Sequence, residues 1–198
     1  MNFDRSFAGA ALLGAGIAAG AALGVPHDGM LQDTFKSAVV VVCALLAALV
    51  LVWPAKDAFM LRWHPVLLLP LLLAVYALGS AWRAQPWQAG VECARWLAVF
   101  LIATVATQVC REPRQREVLA CCVAAGAAVA SIWVILQFVF GIELFPQGAR
   151  PGSTFVNRNF FAEFAAMTLP FSAILLARAR RSSTIALLAA SLGFVIVA

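Results

Sequence analysis

Six stretches of the chain, 7–25, 37–53, 65–82, 91–110, 117–140 and 159–177, are apolar almost throughout and hold at most two charged residues apiece. A helix needs about 20 such residues to cross a ~30 Å hydrocarbon core. In lipid, the backbone of each stretch must satisfy its own polar groups, which a helix does and an isolated strand does not. Composition agrees: 64% of residues are hydrophobic and 12% charged, against about 45–50% and about 25% in soluble domains. One soluble core in a chain of this size cannot hide so much apolar surface. Disorder, a collagen-like repeat, a zinc ribbon and an ordinary cytosolic enzyme are all excluded. The expected fold is all-α, a polytopic membrane helical bundle of six full transmembrane helices. A seventh apolar run begins near Ser183 and stops at Ala198 with no closing polar residue. The expectation is therefore a truncated seventh helix. Residues 1–198 read as a single membrane domain, the N-terminal half of a larger protein.

Orientation follows from the cations in the connections. Arg5, Lys56, Arg62, Arg111, Arg114, Arg116, Arg178, Arg180 and Arg181 fall on one side, and Lys36, Arg83, Arg150 and Arg158 on the other. The richer side faces the cytoplasm, which puts the N-terminus inside and the 141–158 loop outside. Trp53, Trp63, Trp82 and Trp87 lie at or just beyond the ends of runs, where interfacial aromatics belong. The first run is read as a retained span rather than a signal peptide. Its flank carries only Arg5 balanced by Asp4, and its apolar stretch exceeds the usual ~7–15 residues. Gly16, Gly20 and Gly24 form a stripe of small residues suited to close helix packing. Pro70 and Pro170 lie within runs and deprive the carbonyls of Val66 and Ala166 of their helical partners.

The net charge of +5 comes with no basic helix face and no aromatic-interleaved basic stretch, so nucleic acid is not an expected partner. The five cysteines show no C-x-x-C spacing, and neither a disulfide framework nor a metal site is expected. His27 and His64 are assigned to opposite sides of the membrane and form no common site.

Chemistry concentrates in Arg150-Pro-Gly-Ser-Thr-Phe-Val-Asn-Arg-Asn-Phe-Phe-Ala-Glu-Phe164, which runs from the outer loop into the sixth span. Asn157 or Asn159 can cap that helix. Arg150 and Arg158 add full charges beside its partially positive start, a combination suited to phosphate or diphosphate. Asn159 and Glu163 share a helix face continued by Ala166 and Pro170. Glu163 lies about a turn below the surface, where a carboxylate needs a partner. At the same depth the fourth span offers Glu92 and Arg95, spaced three apart to pair on one face, with Thr104 and Gln108 further along. The bland alternatives are an interfacial ion pair for Glu92–Arg95 and a solvated loop with a helix cap for 150–163.

Gly152-Ser-Thr-Phe-Val-Asn-Arg-Asn-Phe-Phe-Ala162, preceded by Arg150 and followed by a helix with Leu169-Pro170, resembles the O-antigen ligase family. By position, Arg150, Thr154, Phe155, Asn157 and Asn159 match. Gly and Ser are arranged differently before Thr154, and Arg158 stands where the family has proline between the asparagines. The resemblance implies a bacterial inner-membrane glycosyltransferase that needs no bound metal or other cofactor. Its donor would be an undecaprenyl-diphosphate-linked glycan and its acceptor lipid A-core, another glycan or a protein, at the periplasmic face. Substrate-binding residues would be Arg150, Arg158, Arg95, Thr154, Asn157, Asn159 and Glu163. The general base is expected beyond Ala198, so this chain alone should be inactive. Other readings are an O-antigen or capsule polymerase, a protein O-oligosaccharyltransferase and, from a different class, a transporter or a non-catalytic membrane scaffold.

Overall fold

A computed structural model describes residues 4–27, 32–52, 61–83, 85–145, 152–155 and 157–179. Every regular element among them is helical: α1 (Arg5–Ala22), α2 (Gln32–Val52), α3 (Leu68–Gly79), α4 (Pro86–Val109), α5 (Pro113–Phe140) and α6 (Arg158–Arg178). All of these except α3 are long and apolar enough to cross a membrane. This is the pattern of a multi-pass membrane protein. The third run is composite, since α3 is flanked by 3-10 turns at Pro65–Leu67 and Ser80–Trp82. With the greater rise of those turns its length is roughly 30 Å. Pro70 lies in the first turn of α3, where a missing amide donor matters little. Pro170, by contrast, lies within α6. The expected seventh run, together with Trp53, lies outside the described residues.

Helix ends follow local chemistry. Asp4 caps α1 by accepting from Phe7 N at 3.0 Å. Pro86 and Pro113 occupy the first turns of α4 and α5, and Gln115 Oε1 accepts from the amides of Arg111 and Glu112. α5 closes at Gly141 with φ 63°, a left-handed position that glycine adopts without a Cβ clash. The helices overrun the expected apolar runs: α2 begins at Gln32, α4 at Pro86 and α5 at Pro113. Charged residues such as Asp33, Arg114 and Glu117, which mark the edges of the apolar runs, remain inside the helices.

α1 packs along α2, α4 and α5. Its glycines set the approach. A Cβ on Gly20 would stand 2.9 Å from Val40 Cγ2, and one on Gly16 would overlap Cys43 on the same face of α2. Gly24, past the helix end, instead packs under the Phe145 ring. From α5, Gly126 lies against the α1 backbone, where a Cβ would sit 2.9 Å from Ala18 Cα. One core joins Ala10 and Leu13 of α1 to Ala44 and Ala47 of α2 and to Val105 and Val109 of α4. A second joins Ala127, Ala130 and Val134 of α5 to Phe161 and Ala165 of α6. Buried Gln108 ties the segment before α3 to α4, accepting from Arg62 N at 3.0 Å and donating to Arg62 O at 2.9 Å. The chain direction alternates, so α1 and α5 end, and α2, α4 and α6 begin, at one end of the bundle. We call this the distal end.

Candidate functional site

The distal end holds a turn that leaves the surface and enters the bundle. Gly152, Ser153 and Thr154 are buried, the last two completely. Irregular backbone at membrane depth must find its hydrogen bonds in protein, and this turn does. Gln137 of α5 clasps the Ser153 backbone from both sides, accepting from its N–H at 2.8 Å and donating to its carbonyl at 3.0 Å. Ser153 Oγ donates to Ala130 O at 2.7 Å. Thr154 Oγ1 donates to Ala21 O at the end of α1, also at 2.7 Å. Phe155 N–H closes the turn on Gly152 O at 2.9 Å. Ser153 is held at φ 56°, a left-handed conformation that only a few per cent of non-glycine residues adopt. Strain of this kind persists only where the surroundings over-determine it.

Lys36 completes the arrangement from the first turns of α2. Its ammonium donates to Gly20 O at 2.8 Å, Leu23 O at 2.9 Å and Thr154 Oγ1 at 2.7 Å, and lies 4.4 Å from the centre of the Phe155 ring. Phe155 in turn packs on Phe164 of α6 with ring centres 5.0 Å apart. Beside this cluster opens a cavity of about 460 Å³. Its polar rim is Lys36, Ser37 and Arg95. Its walls are apolar, with Val40 and Val41 from α2, Ala98, Val99 and Ile102 from α4, and Phe155 and Phe164. Arg95 makes the expected pair with Glu92, Nη1 to Oε1 at 2.7 Å.

The expected site residues divide. Arg95 lines the cavity, and Thr154 lies behind its wall, joined to it through Lys36 and Phe155. Asn157 caps α6, its side chain accepting from Asn159 N at 2.9 Å. Arg158, Asn159 and Glu163 are exposed on the first turns of α6 and do not line the cavity. Ala166 and Pro170 are exposed on the same face, while Phe161, Ala165 and Thr168 are buried on another. Arg150 lies outside the described residues. Of the histidines, His64 caps the turn leading into α3, Nδ1 accepting from Val66 N at 3.2 Å.

Sequence reading missed Lys36, Gln137 and Phe164. Lys36 counted only as a connection charge, although it stands one residue before an uninterrupted apolar run. Gln137, a lone amide near the end of the fifth run, was the other visible signal.

The fold defines a class, a helical multi-pass membrane protein with a cation-rimmed apolar groove at one end. Comparison with family models, curated proteins and solved structures found no match to the chain.

Proposed function

We propose that the chain forms part of a glycosyltransferase of the bacterial inner membrane, with six spans, a cytoplasmic N-terminus and a periplasmic distal end. It moves a glycan from undecaprenyl diphosphate to an acceptor, with lipid A-core the leading candidate. One observation carries this reading. The Gly152–Phe155 turn, the segment that resembles the O-antigen ligase family, is built into the wall of a groove whose shape suits a lipid-linked anion. Apolar walls from α2 and α4 accept an isoprenoid chain, while Arg95 at the rim faces the diphosphate. In the reaction an acceptor hydroxyl attacks the anomeric carbon, the bond from that carbon to the diphosphate oxygen breaks, and the diphosphate leaves with the electron pair. A guanidinium beside that oxygen stabilises the charge that develops on it. The hydroxyl proton passes to a base that the described groove-lining residues do not supply, because none of them is a histidine or a carboxylate. Arg158, exposed at the start of α6, adds positive charge at the same end of the bundle.

The test is transfer from a lipid-linked donor by the full protein in liposomes. Arg95→Gln should lower kcat/KM by roughly 10–100-fold, the effect of losing a charged hydrogen bond, while Glu92→Gln should act less. Transfer at the wild-type rate by Arg95→Gln would remove Arg95 from the site. Solute uptake without any glycosyl transfer would favour the transporter reading instead.

A further inference from the structure

We infer that Lys36 is a positioning residue: its ammonium pins the Gly152–Phe155 turn to the end of α1 and so sets the wall of the groove. The assignment rests on which acceptors the ammonium meets. A helix leaves its last carbonyls without intrahelical partners. In α1 the amide of Leu23 takes the Ala19 carbonyl, Thr154 takes that of Ala21, and Lys36 takes that of Gly20 and, just past the helix, that of Leu23 itself. The C-terminus of α1 is therefore capped from two other parts of the chain, and Thr154 Oγ1 links them by donating to Ala21 O and accepting from Lys36.

The charge is needed there. The end of a helix carries about half a negative charge, and among the described residues no carboxylate lies within ion-pair distance of Lys36, Asp33 one turn earlier acting on it only at longer range. Three backbone and hydroxyl oxygens and the Phe155 ring stand in for one. An ammonium has three N–H donors, and all three are used within the protein. Lys36 thus has no hydrogen left for a bound phosphate, which distinguishes its role from that of Arg95. Gly20 makes the reach possible, because any side chain there would press on Val40 one turn along α2 from Lys36. The turn held in this way presents Phe155 to the groove and leads directly into Asn157, the cap of α6.

Hydrogen–deuterium exchange on the full protein in lipid nanodiscs tests this without reference to any reaction. In Lys36→Met the amides of 152–161 should exchange about tenfold faster or more, as expected when bonds to a charged group are lost, with α4 unchanged. Thr154→Val should act in the same direction. The double variant should exceed neither single by much, because both changes break one connected unit. Exchange of 152–161 within about twofold of wild type in both single variants overturns the inference. So does an equal rise across α4, which would make Lys36 a support of the whole bundle. Should Lys36→Met fail to insert, Lys36→Gln, whose amide cannot reproduce the three ammonium bonds, decides the matter by the same criterion. A second arm rests on the glycosyltransferase reading: KM for the lipid-linked donor should rise about tenfold with kcat little changed. Faster exchange in a protein that transfers no glycan would refute that reading and leave the role of Lys36 intact. Unchanged exchange with transfer intact would do the reverse.

Discussion

Replacing Gly126 by alanine tests the packing of α1 on α5 directly. In an open helix interior, glycine to alanine stabilises by roughly 1 kcal/mol through the backbone. Gly90 of α4 is such a position, since a Cβ there meets nothing within 4 Å. At Gly126 the same methyl would stand 2.9 Å from Ala18 Cα, 3.3 Å from Ala18 O and 3.3 Å from Ala21 Cβ. Two of these are backbone atoms of a helix held on other sides by α2 and α4, so the pair must separate along its length. Overpacking of this kind costs about 1–3 kcal/mol. Set against the propensity gain, Gly126→Ala should be destabilised by about 0–2 kcal/mol, and should fall about 1–3 kcal/mol below Gly90→Ala. Reversible unfolding by SDS in mixed micelles, followed by tryptophan fluorescence, reads the difference. Trp133 of α5 is a suitable reporter, held edge-on to Phe145 at 5.1 Å. Equal stabilisation of the two variants would refute the close approach of α1 and α5 at this level.

At Ser153 the same unfolding assay should show an inverted order. Alanine keeps the left-handed strain and loses the bond to Ala130 O, for about 1 kcal/mol of destabilisation, whereas glycine loses the bond and relieves a comparable strain. Ser153→Ala should therefore be less stable than Ser153→Gly, and the opposite order would remove the strain from the account. At Cys110, just beyond α4, burial pushes the thiol above its ordinary range and outweighs the opposing pull of Arg116. The thiolate is the reactive form, so alkylation near pH 8 should be slower than for a free thiol and should accelerate as pH rises past 9. Arg116→Ala should slow it further at fixed pH, and a flat profile between pH 7 and 9 would count against the burial.

The apolar runs announced the helices because lipid allows them little else. Their ends were less legible. α2, α4 and α5 continue beyond the apolar runs, and charges such as Lys36 and Arg114 that were assigned to connections belong to helical turns. The close contacts of Gly16 and Gly20 followed from the small-residue stripe, whereas Gly126 packs from a helix with small residues on several faces, Cys122, Gly126 and Ala130 forming only one of its rows, so the sequence does not single out the face that meets α1. Asn157 was readable as a cap, and Glu92–Arg95 as a pair, because both depend on local spacing. The junction of Lys36, Thr154 and the α1 carbonyls was not. It joins residues 118 and 133 positions apart, and no local pattern records which distant carbonyl a lysine will meet.

That separation bears on how the protein is made. Helices enter a membrane in order of synthesis, and α1 is the first of those described. Its end at Gly20–Leu23 cannot receive its Thr154 partner until well over a hundred further residues have been translated. During that interval Lys36, made soon after α1, can take the Gly20 and Leu23 carbonyls, and the Ala21 carbonyl is left to be solvated by water or lipid headgroups. Only when α5 has crossed and the following turn has folded back can that water be expelled. An early helix is thus finished by a segment made long after it, and a nascent chain halted between α2 and α5 should leave the Ala21 carbonyl at this end of the bundle open to water.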